Sequence, residues 1–94
     1  MKVFLVILCF LSQVIAQEIR IAAASDLQFA LSEIAELFET ENEVKVLLSF
    51  GSSGNIYSQL EQGAPFDLFF SASSDYTKKL EVKDLLEPNS RKLY

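Results

Sequence analysis

Apolar and polar positions change period along residues 18–80, from short runs typical of buried strands to the spacing of amphipathic helices. Strand-like runs occupy residues 18–24, 44–50 and 66–72, and a stretch of helical character follows each of them. The order β-α-β-α-β-α predicts an α/β fold with a parallel sheet, right-handed crossovers and flanking helices in three layers.

The first predicted helix carries apolar residues on one face and carboxylates on the other. Ser25 or Asp26 is the predicted cap, and Ser25 with Gln28 fits a capping box at the start of the helix. We expect the acidic face to lie in water and the apolar face to lie on the sheet. The apolar face consists of Leu27, Leu31, Ile34, Leu37 and Phe38.

The two later helices are predicted from their boundary signals. Residues 51–55 read as a glycine-rich turn, and residues 56–62 can wind as a short helix that Gly63 ends. Asp75 is a candidate cap for a third helix over residues 76–80.

The first sixteen residues have the composition of a secretory signal. Lys2 supplies a positive start, and the apolar run of residues 3–11 is roughly half of the ~20 residues that span a bilayer. We predict cleavage after Ala16 and a periplasmic or secreted mature chain of residues 17–94. Whether that chain is free or anchored stays open.

Cys9 is the single cysteine of the chain and lies inside the predicted signal. Leu8 precedes it, where a lipoprotein signal requires a small residue, so we assign Cys9 to the apolar run. The mature part then has no disulfide and depends on a packed core. Residues 17–94 are short for a covered parallel sheet, which favours a truncated part of a larger domain.

Composition excludes several classes of function. The chain has no histidine, so a self-contained Ser-His-Asp hydrolase and a histidine zinc site are excluded, and we expect neither enzymatic activity nor a cofactor. The net charge of −5 makes nucleic acid and anionic membranes poor partners. The glycine-rich segment lacks the lysine of a Walker sequence, so nucleotide binding is not predicted.

Serines follow the first two predicted strands at the points where helices begin. Ser25 comes after the first strand, and Ser52 and Ser53 come after the second. Hydroxyls and helix N-terminal N–H groups at the carboxyl ends of parallel strands favour an anion site. A helix cap and a tight turn explain the same residues without a ligand, and the pattern alone leaves both interpretations open.

Three segments resemble the periplasmic molybdate-binding proteins of ABC transporters, in order and with matching spacing. They are AAASDL at residues 22–27, FGSSGN at 50–55 and GAPFDLF at 63–69. The resemblance implies a two-lobed type II periplasmic-binding fold. Residues 17–94 would be the N-terminal part of its first lobe, with the second lobe absent.

The resemblance also implies the ligand and the residues that bind it. Ser25 and Ser53 match the family's ligand serines, each donating through hydroxyl and backbone N–H, while Ser52 and Gly54 flank the second position. The implied function is capture of molybdate or tungstate for an ABC transporter permease. The metal enters only as the oxyanion, and a monomer is expected.

Elementary chemistry agrees with that implication, because molybdate is a fully deprotonated dianion near neutral pH and only accepts hydrogen bonds. Monohydrogen phosphate carries a proton that a donor-only pocket leaves unpaired, at a cost of ~1–3 kcal/mol. Sulfate passes the same test. A binding protein for another oxyanion such as sulfate, and a ligand-sensing domain of the same fold without transport, are therefore the alternatives.

Four further polar residues receive structural assignments. A carboxylate beside a dianion would repel it, so we take Asp67 as positioning the chain before the third strand. Tyr57, Tyr76 and Tyr94 are possible donors, but packing is the role that we assign to each of them.

Overall fold

The computed structural model describes residues 17–94, which fold into three parallel strands and three α-helices. The predicted signal and its cleavage point lie outside the described residues, and both stay predictions. No helix within residues 17–94 has the length and apolar character needed to cross a membrane. The elements are β1 (Glu18–Ala24), α1 (Gln28–Asn42), β2 (Lys45–Gly51), α2 (Ser53–Glu61), β3 (Leu68–Phe70) and α3 (Ser74–Val82).

The described sheet has the strand order β2-β1-β3, and both strand pairs are parallel. β1 pairs with β2 along its whole length, up to Ala24 opposite Gly51. It pairs with β3 over a shorter stretch, up to Ala23 opposite Phe70. The predicted α/β architecture with a parallel sheet is confirmed, and β1 is its centre.

The core lies at the carboxyl end of β1. Ala22 and Ala23 are fully buried and Ala24 is nearly so. Alanine side chains leave room for α2, which packs on β1 and carries the buried Ile56. Tight packing therefore supports the edge of the sheet at which all three strands end.

The start of α1 differs from the predicted capping box. Ser25 begins a 3-10 turn, Ser25–Leu27, and the N-cap of α1 is Leu27, with no hydrogen bond from a capping side chain. The Gln28 N–H donates to the Ser25 backbone carbonyl. The capping box is therefore wrong, because the tighter turn satisfies this donor with a carbonyl in place of the hydroxyl.

The apolar face of α1 is only partly covered, so the prediction that it lies on the sheet is wrong for most of its length. Leu31 is buried, whereas Ile34 is 58% exposed, Leu37 62% and Phe38 40%. Among the described strands, β2 is the one with which α1 makes its main contact. Leu31 is therefore the buried residue of the row, Leu27 is half-buried, and the other three are exposed to water.

One carboxylate of the predicted water face has a structural role instead. Glu39 of α1 accepts the Val46 N–H at 2.7 Å through Oε2. β2 is an edge strand of the described sheet, and its outward N–H groups need acceptors. Glu39 supplies one of them.

The starts of α2 and α3 also lie elsewhere than predicted. The Ser52 hydroxyl caps α2 by accepting the Asn55 N–H at 3.2 Å, so the helix begins at Ser53. Residues 53–55, which were predicted as part of a turn, therefore belong to the helix. Ser73, and not Asp75, caps α3, because its hydroxyl accepts the Asp75 N–H at 3.3 Å. The predicted stop after α2 is confirmed, since Gly63 has a φ of +92° that favours glycine.

β3 is shorter than the predicted run of residues 66–72, because side chains replace strand partners at both of its ends. Before β3, the Asp67 carboxylate accepts the Arg20 N–H of β1. After β3, the Ala72 N–H donates to the Ser53 hydroxyl. The ladder is thus confined to Leu68–Phe70.

Candidate functional site

An open depression lies at the edge of the sheet where the three strands end. The segment after each strand contributes to its lining, as does one side chain of α3. All four residues predicted for the site, Ser25, Ser52, Ser53 and Gly54, line this depression. The remaining lining residues are Ala24, Asp26, Gly51, Ala72, Ser73 and Tyr76.

Ser53 is the buried serine of this group, with 9% of its surface exposed. Its Oγ accepts the Ala72 N–H at 2.8 Å, which ties the first residue of α2 to the segment after β3. A serine hydroxyl that already accepts a bond keeps its proton for donation. The fold thereby fixes the position of a hydroxyl donor in the depression.

The first turn of α2 provides backbone donors at the same place. Asn55 N–H donates to the Ser52 hydroxyl, and Ile56 N–H donates to the Ser52 carbonyl at 3.1 Å. The N–H groups of Ser53 and Gly54 precede these and have no acceptor within the helix. They carry the positive end of the helix dipole. Ser52 itself is exposed, and its hydroxyl oxygen is occupied by the cap.

Ser25 contributes from the central strand. Its residue is exposed, and its carbonyl rather than its hydroxyl accepts the bond at the end of the 3-10 turn. The hydroxyl is thus not engaged as a helix cap. Neighbouring Asp26 also lines the depression, but it is exposed, so water screens its charge more than that of buried groups.

The segment after β3 is a part of the site that the residue pattern had not indicated. Ala72, Ser73 and Tyr76 line the depression together with the predicted residues. The rule that parallel strands end at one edge, which identified the first two segments, would have identified this third one. The polar residues around Ser73 were predicted only to mark the end of the third strand.

The three tyrosines have different surroundings. The rings of Tyr57 and Tyr76 pack with centroids 5.5 Å apart, and Tyr94 packs edge-on against Phe70 at 5.9 Å. The Tyr94 hydroxyl donates to the Ser71 carbonyl. Packing is therefore confirmed for all three, but Tyr76 additionally lines the depression.

Asp67 has the structural role that was predicted for it. Its carboxylate accepts the Arg20 N–H at 2.8 Å, and its own N–H donates to the Arg20 carbonyl at 2.7 Å. The two bonds attach the chain before β3 to the central strand. Asp67 is not one of the residues that line the depression.

The helices that carry Ser53 and Tyr76 are joined on the surface by charged and aromatic side chains. Lys83, the residue that follows α3, donates to Glu61 of α2, and Lys79 lies 5.9 Å from the centroid of the Tyr57 ring. The Lys83 hydrogen bond lowers the pKa of Glu61, and the same bond raises the pKa of Lys83. This contact stabilises the relative position of α2 and α3.

The donor set of the depression suits an acceptor-only ligand. Hydroxyls and helix N-terminal N–H groups bind anions without any basic side chain. Within residues 17–94, no cluster of three or more histidine, cysteine or acidic side chains is placed to hold a metal ion.

Comparisons with known proteins identify the family. The family model described as bacterial extracellular solute-binding protein matches residues 19–94. The molybdate-binding protein ModA of Azotobacter vinelandii is 37% identical over 84% of this chain and 31% of its own length. A putative ABC transporter substrate-binding lipoprotein of Bacillus subtilis, YvgL, is 40% identical over 78% of this chain and 29% of its own.

A solved structure agrees with the sequence relatives. The periplasmic molybdate-binding protein of Azotobacter vinelandii superimposes with a TM-score of 0.74 at 32% identity, over 77% of this chain and 31% of that one. The chain spans about 30% of the length of the curated relatives that it matches. The chain belongs to the bacterial extracellular solute-binding protein family, and its structure is part of a periplasmic-binding domain.

Proposed function

We propose that this chain takes part in capturing molybdate outside the cytoplasm, for delivery to the permease of an ABC transporter. The observation that carries the proposal is the meeting of Ser25 and Ser53 in one depression at the carboxyl edge of a parallel sheet. Relatives that are named molybdate-binding proteins share this part of the fold. No covalent chemistry is involved.

Each donor has a defined contribution. The Ser53 hydroxyl, fixed by Ala72, donates to one oxygen of the anion, and the N–H groups of Ser53 and Gly54 approach the same side. Ser25 donates from the end of β1. Ser52 supports the site mainly by capping α2, which orients the helix N-terminus toward the depression.

The preference among anions follows from the donor set. Molybdate and tungstate are acceptor-only dianions, so every oxygen can receive a donor. Monohydrogen phosphate brings a proton that needs an acceptor. A serine hydroxyl that donates to the anion does not also accept this proton from it, so one hydrogen bond is lost at a cost of ~1–3 kcal/mol. Sulfate has the same acceptor character as molybdate and competes unless the cavity discriminates by size.

Export of the chain precedes capture of the anion, and recognition by the permease follows it. Cleavage after Ala16 releases the protein into the periplasm, where it acts as a monomer. The permease recognises the loaded protein, because anion binding changes the arrangement of a periplasmic-binding domain. The extracellular character of the family supports this location.

A thermal-shift experiment on the full chain tests the proposal. Molybdate and tungstate should raise the melting temperature, since a ligand at 100 times its Kd stabilises the folded state by about 2.7 kcal/mol. Phosphate should not. The double variant Ser25→Ala with Ser53→Ala should lose the shift, while Ser58→Ala, at an exposed position of α2 outside the depression, should keep it.

Two results would contradict the proposal. The first is a double variant that responds to molybdate as strongly as the original chain, which would remove the serines from the site. The second is an equal response to phosphate and molybdate, which would mean that the hydroxyl and N–H donors of the depression do not select its ligand.

A further inference from the structure

We propose that the Tyr76 hydroxyl is a third side-chain donor to the bound anion, supplied from the β3 side of the depression. This inference rests on the proposed function, because it concerns the same ligand. It assigns a ligand contact to a residue whose packing alone would leave it a purely structural role. Three features of the structure lead to it.

The first feature is the close approach of Tyr76 to Gly54. A Cβ atom added at Gly54 would lie 3.0 Å from the Tyr76 hydroxyl oxygen and 3.5 Å from the ring carbon that bears it. The absence of a side chain at Gly54 therefore lets the phenol reach the first turn of α2. Gly54 belongs to that first turn, and its N–H has no acceptor within the helix.

The second feature is the way the ring is held. Tyr76 packs against Tyr57, and the Lys79 ammonium lies 5.7 Å from the Tyr76 ring centroid. These contacts involve the ring and not the hydroxyl. The ring thus has a fixed position before any ligand arrives, which reduces the entropy lost on binding.

The third feature is the state of the hydroxyl. The Tyr94 hydroxyl donates to the Ser71 carbonyl. Among residues 17–94 the Tyr76 hydroxyl has no such partner, and Tyr76 is one of the residues that line the depression with Ser25 and Ser53. A neutral phenol can donate one proton, as an acceptor-only dianion requires.

Removal of the hydroxyl alone tests the inference. Tyr76→Phe in the full chain keeps the ring and its packing, and Tyr57→Phe removes the hydroxyl of the neighbouring ring outside the depression. We expect Tyr76→Phe to weaken molybdate binding by about 10-fold to 100-fold, since a hydrogen bond to a charged group contributes ~1.5–3 kcal/mol. Tyr57→Phe should stay within about twofold of the original chain.

Gly54→Ala provides a second test that does not alter the tyrosine. Its added Cβ would lie 3.0 Å from the Tyr76 hydroxyl oxygen, so we expect it to displace that hydroxyl and weaken binding. In the Tyr76→Phe background, the effect of Gly54→Ala should shrink, because the hydroxyl that it displaces is gone. Independent, additive effects would contradict the inference.

The outcomes separate this inference from the proposed function. If Tyr76→Phe binds molybdate like the original chain while Ser25→Ala with Ser53→Ala does not, the Tyr76 contact is wrong and the serine site stands. If the original chain binds neither molybdate nor tungstate, both are wrong. Thermal unfolding without anion should be unchanged in Tyr76→Phe, and a lower melting temperature would assign the residue to stability instead.

Discussion

The Ser53 hydroxyl oxygen accepts the Ala72 N–H at 2.8 Å, across nineteen positions of sequence. This bond joins the start of α2 to the segment after β3 and leaves the hydroxyl proton available for donation. The same side chain therefore contributes to stability and to the proposed site. The two contributions can be measured separately.

Ser53→Ala should destabilise the chain even without an anion. The substitution leaves the Ala72 N–H without its acceptor, which costs about 0.5–1.5 kcal/mol for a partly buried neutral bond. Denaturant unfolding measures the loss. Ser58→Ala in the same helix is the matched control and should stay within about 0.5 kcal/mol, and equal stabilities of the two variants would show that the Ala72 bond is unimportant.

Asp67→Ala should lower stability without changing anion affinity. The carboxylate accepts the Arg20 N–H and lies outside the depression, so its loss removes one bond worth about 1 kcal/mol. Asp67→Asn keeps an acceptor oxygen and should lose less. A change in molybdate Kd in either variant at unchanged stability would assign Asp67 to the site and refute the structural role.

Two leucines of α1 should respond very differently to truncation. Leu31 is buried, so Leu31→Ala should cost about 2–5 kcal/mol. Leu37 is 62% exposed, and Leu37→Ala should cost less than about 1 kcal/mol. Denaturant unfolding of the full chain gives both values, and similar losses would mean that Leu37 is covered in solution.

The contact between Glu61 and Lys83 should make stability weakly dependent on pH. The Lys83 bond lowers the pKa of Glu61 below its ordinary value of 4.5, so its contribution is present above pH 4.5 and is lost as pH falls through the lowered pKa. The same bond raises the pKa of Lys83 above 10.5, so that contribution is present below pH 10.5 and is lost as pH rises further.

Glu61→Gln measures the acidic limb of this dependence. Its melting temperature should be slightly below that of the original chain at pH 7, and the difference should disappear at pH values well below 4.5. Because both side chains are exposed, the effect should be small and should diminish with salt. A difference that grows on acidification would reverse the sign and contradict the assignment.

Period and strand order predicted the parallel sheet and the meeting of the two serine turns at one of its edges, while the choice of Ser25 and Ser53 came from the family resemblance. The residue pattern did not predict which neighbouring oxygen accepts the N–H groups at the starts of the helices. Gln28 bonds to a carbonyl of the 3-10 turn, and Ser73 rather than Asp75 caps α3. Such choices between neighbouring acceptors depend on a few degrees of backbone rotation, which residue pattern does not determine.

The residue pattern also did not predict the long-range side-chain contacts. Glu39 bonds to the edge of β2, and Tyr76 reaches over Gly54. Both contacts require the relative position of two packed elements. The periodicity of α1 likewise predicted one apolar face but not that Leu37 would remain exposed, since coverage depends on the number of elements that pack on the helix.

Calorimetric titration of molybdate into the full chain, with Ser25→Ala plus Ser53→Ala as the comparison, decides whether the two serines form an anion site. We expect saturable binding by the original chain, competition by tungstate, no measurable heat with phosphate, and loss of binding in the double variant. Binding of molybdate that persists unchanged without the two hydroxyls would contradict this expectation.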